Sequence, residues 1–500
     1  MLQTFSSTTY EEHSDVTPTD AGPWTLHEDR ALPADPTTRP IAHEIYQAVK
    51  DLPIVSMHGH VPVEWFADDS PFPDPAQLLV VPDHYLLRML VSQGETLPRL
   101  GVGPVPGAAG DAEAAESDPR EIWRRFCAGW KHFRGTPTRF WMETELVEIF
   151  GVTQRPSAET ADAIYDQIAS VIADPSFRPR ALLDRFGIEV IGTTDPAWSS
   201  LEHHDRLVAD GERRVLPTFR PDPVYTIDSP TFAADVERTG AAAGVDVTSY
   251  ASYLEALRVQ RQRFKEAGGL ATDHGHHLPD TTPLPADDAA RLFDKAMLVA
   301  RGGDPVTGAE AAAFSAHMLF QTAAMAAEDH LVMQIHPGVE RGHASAETRV
   351  FGADKGYDIP FAIDFTRSLR PMLDAFGHHP GFRTIVFTID EDTYSRELAP
   401  MAGVYPAMRL GAPWWFLDSP EAMRRFREAA TETAGFSNMS GFVDDTRAFC
   451  SIPARHDLAR RVDAGYLARL VAEHRLELDE AVDTAADLAY RLPLLSYAKA

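Results

Sequence analysis

The sequence predicts an α/β protein, a (β/α)8 TIM barrel with a mainly helical insertion after its first strand. Three observations support this fold class. A short apolar, β-branched run, a polar cluster and a helix-like stretch follow one another repeatedly along the chain. Histidine, aspartate and arginine collect directly after the apolar runs, where a barrel places its functional groups. The first and second runs lie too far apart for a standard βα unit, so additional structure must intervene.

Eight apolar runs fit the strands of such a barrel, because strands that alternate with helices form a parallel sheet. The polar cluster after each run is then expected at the carboxyl end of its strand. The predicted strands are Leu52–Met57, Ile188–Thr193, Arg214–Phe219, Gly269–Thr272, Leu331–Ile335, Thr384–Ile389, Met408–Phe416 and Gly441–Val443.

Length and composition indicate a soluble globular chain. It has 500 residues, of which 44% are hydrophobic and 24% charged, and no run approaches the roughly 20 apolar residues that a membrane helix needs. Residues 1–25 are predicted to form a disordered tail and residues 26–500 one barrel domain. The net charge of −28 argues against nucleic acid or an anionic membrane as a partner.

The two cysteines, Cys127 and Cys450, lack the spacing of a thiolate metal site or a disulfide framework. A reducing compartment, the cytoplasm, is therefore predicted.

The inserted region, residues 61–186, contains one clear helix signal. Asp118 offers an N-cap, Pro119 a first helical residue, and Glu121 an acidic group in the first turn. Apolar side chains then recur at helical spacing, which predicts a buried face. The acidic, small-residue stretch Ala108–Glu116 is predicted to be a flexible loop.

A metal site is predicted at the end of the first strand. His58 and His60 are two residues apart, so in an extended chain both side chains point to the same face. Asp445 follows the eighth run, which neighbours the first in a closed barrel. Two imidazoles and one carboxylate suit Zn²⁺ or another first-row divalent ion with an open coordination position. The alternative is a pair of surface or capping histidines.

Two further histidines, His274 and His336, end the fourth and fifth runs. Either could coordinate the metal or bind substrate, and either could instead be a histidine satisfied by the backbone.

Two arginines lie beyond the third and eighth strands. Arg220 and Arg447 could together hold a carboxylate, which in so acidic a chain would indicate an anionic substrate. The alternative is a structural salt bridge with Asp222 or Asp195.

In the insertion, Asp83-His84-Tyr85 precedes a short helix-like stretch that could lie over the barrel as a lid. The Tyr85 hydroxyl could then donate to a sugar oxygen.

Nine sequence blocks, in this order, resemble the glucuronate (uronate) isomerase family of the amidohydrolase superfamily. They extend over most of the chain, from about Leu26 to about Leu470. The blocks are Pro53-Ile-Val-Ser-Met-His-Gly-His60, Pro82-Asp-His-Tyr85, Thr193-Thr-Asp195, Pro217-Thr-Phe-Arg-Pro-Asp222, Thr272-Asp-His-Gly275, Met333-Gln-Ile-His-Pro-Gly338, Gly411-Ala-Pro-Trp-Trp-Phe416, Asp445-Thr-Arg447 and Ser451-Ile-Pro-Ala-Arg-His456.

The resemblance implies an amidohydrolase-type barrel that interconverts D-glucuronate with D-fructuronate, and D-galacturonate with D-tagaturonate. It also implies one divalent metal ion, with Zn²⁺ the expected metal, and a homo-oligomer. The residue roles that it implies are a metal set of His58, His60 and Asp445, a sugar-acid set of His84, Tyr85, Arg220 and Arg447, and an apolar wall of Trp414 and Trp415. Asp445, Arg447 and Tyr85 are the candidate catalytic residues, because aldose–ketose isomerisation requires proton relay and stabilisation of an enediolate.

Three other functions fit the same barrel. The first alternative is a metal-dependent hydrolase, since fold alone does not decide function. The second is an isomerase of another sugar acid on the same barrel. A carbamate-bridged pair of metals would need a lysine at a strand end. We find no such lysine at the predicted strand ends, which favours the isomerase. A non-catalytic barrel is the third, and it would bind no metal despite His58 and His60.

Overall fold

A computed structural model describes residues 22–108 and 113–498 of the chain. Most of the predicted N-terminal tail and the centre of the predicted 108–116 loop lie outside these residues. Within the described ranges, no helix is both long and apolar enough to cross a membrane.

The parallel strands follow the order of the predicted runs. Pairing runs β1–β2–β4 in one sheet and β11–β10–β7–β6–β5–β3 in the other, and every pair in these two sheets is parallel. The strands are β1 (Ile54–Ser56), β2 (Ile188–Gly192), β3 (Asp195–Pro196), β4 (Val215–Leu216), β5 (Phe219–Arg220), β6 (Ala271–His274), β7 (Val332–Ile335), β8 (Val339–Glu340), β9 (Ile359–Pro360), β10 (Thr384–Val386) and β11 (Met408–Leu410).

The two sheets are parts of one wall. The second predicted run forms β2 and is followed at once by β3, and the third run forms β4 and β5. β2 and β4 belong to the three-stranded sheet and β3 and β5 to the six-stranded sheet, so these two runs connect the sheets. The first seven predicted runs therefore lie side by side in chain order, as a (β/α)8 barrel requires. The predicted fold class is confirmed.

The prediction of an eighth strand at Gly441–Val443 is wrong. No strand is formed there; instead Met439 makes an isolated parallel bridge with Leu410. Gly441 has a φ of +77°, which is incompatible with an extended strand. The segment still lies beside the first strand, since the backbone N–H of His60 donates to the carbonyl of Thr446 at 3.0 Å.

Helices separate the successive apolar runs, and no strand occurs in the described part of the insertion. The antiparallel pair β8–β9 was not predicted and forms a small two-stranded sheet outside the barrel wall. The helices are α1 (Thr38–Val49), α2 (Val63–Asp68), α3 (Pro75–Leu79), α4 (His84–Val91), α5 (Pro119–Ala128), α6 (Pro137–Thr144), α7 (Ala161–Ile172), α8 (Pro179–Arg185), α9 (Glu202–Ala209), α10 (Asp222–Tyr225), α11 (Phe232–Ala243), α12 (Tyr250–Glu266), α13 (Ala286–Val299), α14 (Gly308–Asp329), α15 (Ser345–Phe351), α16 (Phe365–Ser368), α17 (Arg370–Phe376), α18 (Ala399–Ala402), α19 (Pro420–Ala434), α20 (Ile452–Ala472), α21 (Leu478–Ala486) and α22 (Leu492–Tyr497).

The helix predicted in the insertion is confirmed as α5. The Asp118 side chain accepts from the backbone N–H of Arg120 at 2.9 Å, and Pro119 is the first helical residue. Its apolar face is buried, with Trp123 0% exposed and donating to the carbonyl of Ala161. Burial of aromatic surface supplies most of the stability of such a helix.

Helix α20 anchors the first strand of the barrel. Arg460 donates to the carbonyls of Lys50 and Pro53, at 2.7 and 3.0 Å, just before β1 begins. Arg455, on the same helix, forms a buried ion pair with Asp418. The chain entering β1 is thus held in place by the last long helix of the sequence.

Candidate active site

The three predicted metal ligands converge at the carboxyl end of β1. Asp445 Oδ1 lies 3.2 Å from His58 Nε2 and 3.1 Å from His60 Nε2. Neither ring nitrogen of His58 has a hydrogen-bond partner among the described residues, although the side chain is 1% exposed. Buried polar atoms are rarely left without a partner, so a cation between these groups would satisfy them. The donor set fits a first-row divalent ion.

The charges of Asp445 and His60 suit a cation. For His58, by contrast, burial is outweighed by Asp273 and Asp445, which raise its pKa. Burial raises the pKa of Asp445, but His58 and His60 outweigh burial and hold it well below its usual range. Burial lowers the pKa of His60 to about 4, which leaves its imidazole neutral near pH 7. A neutral imidazole and an ionised carboxylate are the forms that bind metals.

Asp273 extends this cluster and was missed as a site residue by sequence reasoning. Its Oδ1 lies 2.7 Å from His336 Nε2 and 3.5 Å from His58 Nδ1, while Oδ2 lies 3.3 Å from Arg220 Nη1. Successive side chains of a strand point to opposite faces. Asp273 on β6 therefore faces His58, and His274 faces away. Two signals could have found it: its position directly after the fourth apolar run and its place in the Thr272-Asp-His-Gly275 block.

A cavity of about 280 Å³ opens beside the predicted metal ligands. Eight of the predicted site residues contribute to its wall, together with three that were not predicted. The lining residues are His60, His84, Thr194, Arg220, His336, Arg341, Asp354, Trp414, Trp415, Asp445 and Arg447.

Both predicted arginines line the cavity and both are paired with acids. Arg220 Nε lies 3.0 Å from Asp222 Oδ2, so the salt bridge considered as an alternative is present. Arg447 Nη2 lies 2.9 Å from Asp354 Oδ2. Each arginine can pair with its acid and still face the cavity, because a guanidinium has more N–H donors than its acidic partner uses.

Helix α4 brings His84 to the cavity. The Asp83 carboxylate accepts from the backbone N–H of Tyr85 at 2.8 Å and so fixes the first turn of the helix. The His84 ring stacks on Tyr85 with centroids 4.4 Å apart and meets Trp415 edge-on. Tyr85 lies behind His84, and its buried hydroxyl has no partner among the described residues.

Trp414 packs against His58 and His336 and lines the cavity. Its ring lies 5.2 Å from the ring of His58 and 4.7 Å from that of His336. Trp415 carries the Arg341 guanidinium 4.9 Å above its ring. Both rings line the cavity, and their role as an apolar wall for a substrate stays a prediction.

His274 lies away from this cavity. Its ring is parallel to Tyr225, at 6.2 Å between centroids, and its Nε2 lies 2.9 Å from Thr272 Oγ1. Its role as a substrate ligand or a metal ligand stays a prediction. Arg341 and Asp354 lie in the segment between β8 and β9 and follow no barrel strand, so the strand-end signal could not find them.

The comparisons with known proteins agree with this geometry. The glucuronate isomerase family model matches residues 37–493. A uronate isomerase of Phenylobacterium zucineum is 52% identical, covering 95% of this chain and 97% of that protein.

Two crystal structures are similar over almost their whole length. Glucuronate isomerase from Caulobacter crescentus is 47% identical, with a TM-score of 0.91 over 95% of this chain and 97% of the other. Uronate isomerase from Thermotoga maritima is 26% identical, with a TM-score of 0.86 over 95% of this chain and 100% of the other. The chain therefore belongs to the glucuronate isomerase family.

Proposed function

We propose that this chain interconverts D-glucuronate with D-fructuronate, and D-galacturonate with D-tagaturonate. The observation that carries the proposal is a candidate metal-ligand triad, His58, His60 and Asp445, of which His60 and Asp445 line a cavity that also presents two arginines. Membership of the isomerase family supports the same reaction.

Arg220 and Arg447 are proposed to bind the carboxylate and neighbouring hydroxyls of the sugar acid. The whole chain carries a net charge of −28, so an anion needs local cations to bind. Guanidinium groups stay protonated and bind carboxylates through paired hydrogen bonds. His84 and His336 offer ring nitrogens on the same wall, and Trp414 and Trp415 provide apolar surface for the sugar face.

His58, His60 and Asp445 are proposed to hold one divalent ion, with Zn²⁺ the expected metal. When bound, such an ion polarises a carbonyl or hydroxyl oxygen and stabilises negative charge on it. Of the three side chains, His60 and Asp445 line the cavity together with Arg447.

The reaction moves one proton from C2 to C1 and another from the C2 oxygen to the C1 oxygen. Asp445 lines the cavity, where its carboxylate is placed to relay a proton. Tyr85 is the candidate proton donor: burial raises its pKa above its usual range, so its hydroxyl stays protonated. Its ring lies behind His84, next to the cavity wall. Arg447 stabilises the enediolate charge that develops between these steps.

The test is a coupled assay with D-glucuronate and D-galacturonate on protein of measured metal content. His58→Ala and Arg447→Ala are each expected to lower kcat/KM by about 100-fold or more. Only His58→Ala should also lower the metal content. Arg367→Ala, at a side chain 90% exposed, is the matched control and should retain full activity.

No turnover of either uronate by protein with a full metal site would overturn the proposal. Turnover of an ester or amide substrate instead would favour the hydrolase alternative. Tyr85→Phe removes the hydroxyl but keeps the packing of the ring. The kcat should therefore fall while the melting temperature stays the same, because the hydroxyl has no partner among the described residues.

We also propose a homo-oligomer in the cytoplasm, as the family resemblance implies. Both cysteines are buried and free, which suits a reducing compartment. Light scattering on the purified chain measures the assembly size.

A further inference from the structure

A second group of potential metal ligands lies on the other side of Arg220. It consists of Asp222, directly after β5, His274 at the end of β6, and His276 in the following loop. One ligand atom from each lies within 4.8 Å of the other two, and Asp222 Oδ1 is 3.8 Å from His276 Nδ1. The group shares no residue with the His58, His60 and Asp445 triad.

The ligand atoms of this group are buried and unsatisfied. His274 is 0% exposed and His276 7% exposed. Asp222 Oδ1, His274 Nδ1 and both ring nitrogens of His276 have no hydrogen-bond partner among the described residues. Burying so many polar atoms without partners is costly, and their convergence on one point indicates a missing partner at that point.

The remaining atoms of two ligands are held by neighbours. Asp222 Oδ2 accepts from Arg220 Nε at 3.0 Å and from the backbone N–H of Gly275 at 2.9 Å, which leaves Oδ1 free. His274 Nε2 lies 2.9 Å from Thr272 Oγ1, which leaves Nδ1 free. Metal-binding carboxylates and histidines are oriented in this way, through the atom that does not bind the metal.

The charge states also suit a cation. Burial lowers the pKa of His274 to about 3 and that of His276 to about 4, so both imidazoles are neutral near pH 7. Burial raises the pKa of Asp222, but Arg220 and His276 outweigh it and the net pKa is lowered. Two neutral imidazoles and one carboxylate are the ligand set of many zinc sites.

An open coordination position would face solvent. A separate cavity of about 380 Å³ is lined by Asp222, Gly275 and His276, with Asp228 and Asp280 further along its wall. Water or a small ligand could reach the group through it, and the acidic side chains would attract a cation.

We propose that Asp222, His274 and His276 form a second site for a divalent cation of the Zn²⁺ class. Arg220 lies between the two sites: its Nε contacts Asp222 and its Nη1 contacts Asp273, which in turn contacts His336. The second site joins the loop after β5 to the loop after β6, and so holds the carboxylate that positions Arg220. Among the described residues no carboxylate bridges the two sites, unlike a binuclear hydrolase centre.

The test measures bound Zn²⁺ by elemental analysis after the chain is stripped with a chelator, reloaded and dialysed. Wild type should retain two equivalents. His276→Gln and His58→Ala should each retain one, and the double variant none. His277→Gln, at the exposed neighbouring histidine, is the matched control and should retain two.

Wild type that retains one equivalent, lost in His58→Ala and kept in His276→Gln, would overturn the second site. A Co²⁺ titration of stripped wild-type protein gives an independent measurement, since it needs no variant to fold. Two successive increments of visible absorption are expected, and saturation after one equivalent would refute the proposal. Metal content is measured without turnover, so these results are separate from the success or failure of the proposed isomerase reaction.

Discussion

Arg447 donates a hydrogen bond to Asp354 within the wall of the active-site cavity, with 2.9 Å between Nη2 and Oδ2. Asp354 comes from the segment between β8 and β9 and has a φ of +62°, which is unusual for a residue other than glycine. The loop that carries Asp354 lies outside the barrel wall. It thus orients Arg447, which follows the last segment of the barrel.

Asp354→Asn is expected to lower kcat/KM for uronates by no more than about fivefold. The two side chains are 31% and 39% exposed, and ion pairs this accessible contribute about 0–1 kcal/mol. Steady-state kinetics against wild type measures the effect. A loss as large as that of Arg447→Ala would mean that Asp354 itself acts on the substrate.

Gly275→Ala is expected to lower kcat/KM by about 10- to 100-fold, because a misplaced site residue is costly. A Cβ at this position would lie 2.8 Å from both Arg220 Nη2 and His336 Cε1, so both side chains must move. Gly308→Ala is the control, since a Cβ added there would have no clashing neighbour within 4 Å among the described residues. Full activity in Gly275→Ala would show that the positions of Arg220 and His336 are not critical.

Arg455→Met is expected to destabilise the fold by about 3–5 kcal/mol, because it leaves the Asp418 carboxylate buried without its cation. The two side chains are 0% and 1% exposed, with 2.6 Å between Arg455 Nη1 and Asp418 Oδ2. Arg469→Met, on the same helix α20 and 40% exposed, should cost less than about 1 kcal/mol. Thermal melting of both variants makes the comparison, and equal losses would contradict it.

His317 is expected to make the fold less stable as the pH falls from about 6.5 to about 4. Burial lowers its pKa to about 4, and its Nδ1 accepts from the backbone N–H of Leu284 at 3.0 Å. The unfolded chain takes up a proton near pH 6.5 while the folded chain does not, so acid favours unfolding.

The melting temperature of wild type should therefore exceed that of His317→Gln by more at pH 7.5 than at pH 5. His378→Gln, at an exposed histidine, serves as the control for the substitution itself. A difference for His317→Gln that stays constant between the two pH values would contradict the assignment.

Local sequence signals were sufficient for most of the barrel and for the chemistry at its strand ends. Short apolar runs predicted the first seven strands, since apolar side chains suit a parallel sheet that is buried on both faces. The spacing of His58 and His60 predicted a shared face, because side-chain direction alternates along an extended chain. The Asp118-Pro119 signal predicted α5 because capping depends on adjacent residues.

Contacts between distant segments were decided only by the tertiary structure. Asp273 meets His58 and His336 because β1, β6 and β7 end at the same face of the barrel, and sequence alone does not give their relative heights. Asp354 reaches Arg447 from a loop whose path follows no periodicity. The sequence thus determined which chemical groups the chain offers and on which strands, because propensity and alternation are local. Folding decided which of these groups form ion pairs, line one cavity or could hold one ion. Those interactions depend on distances between segments far apart in the chain.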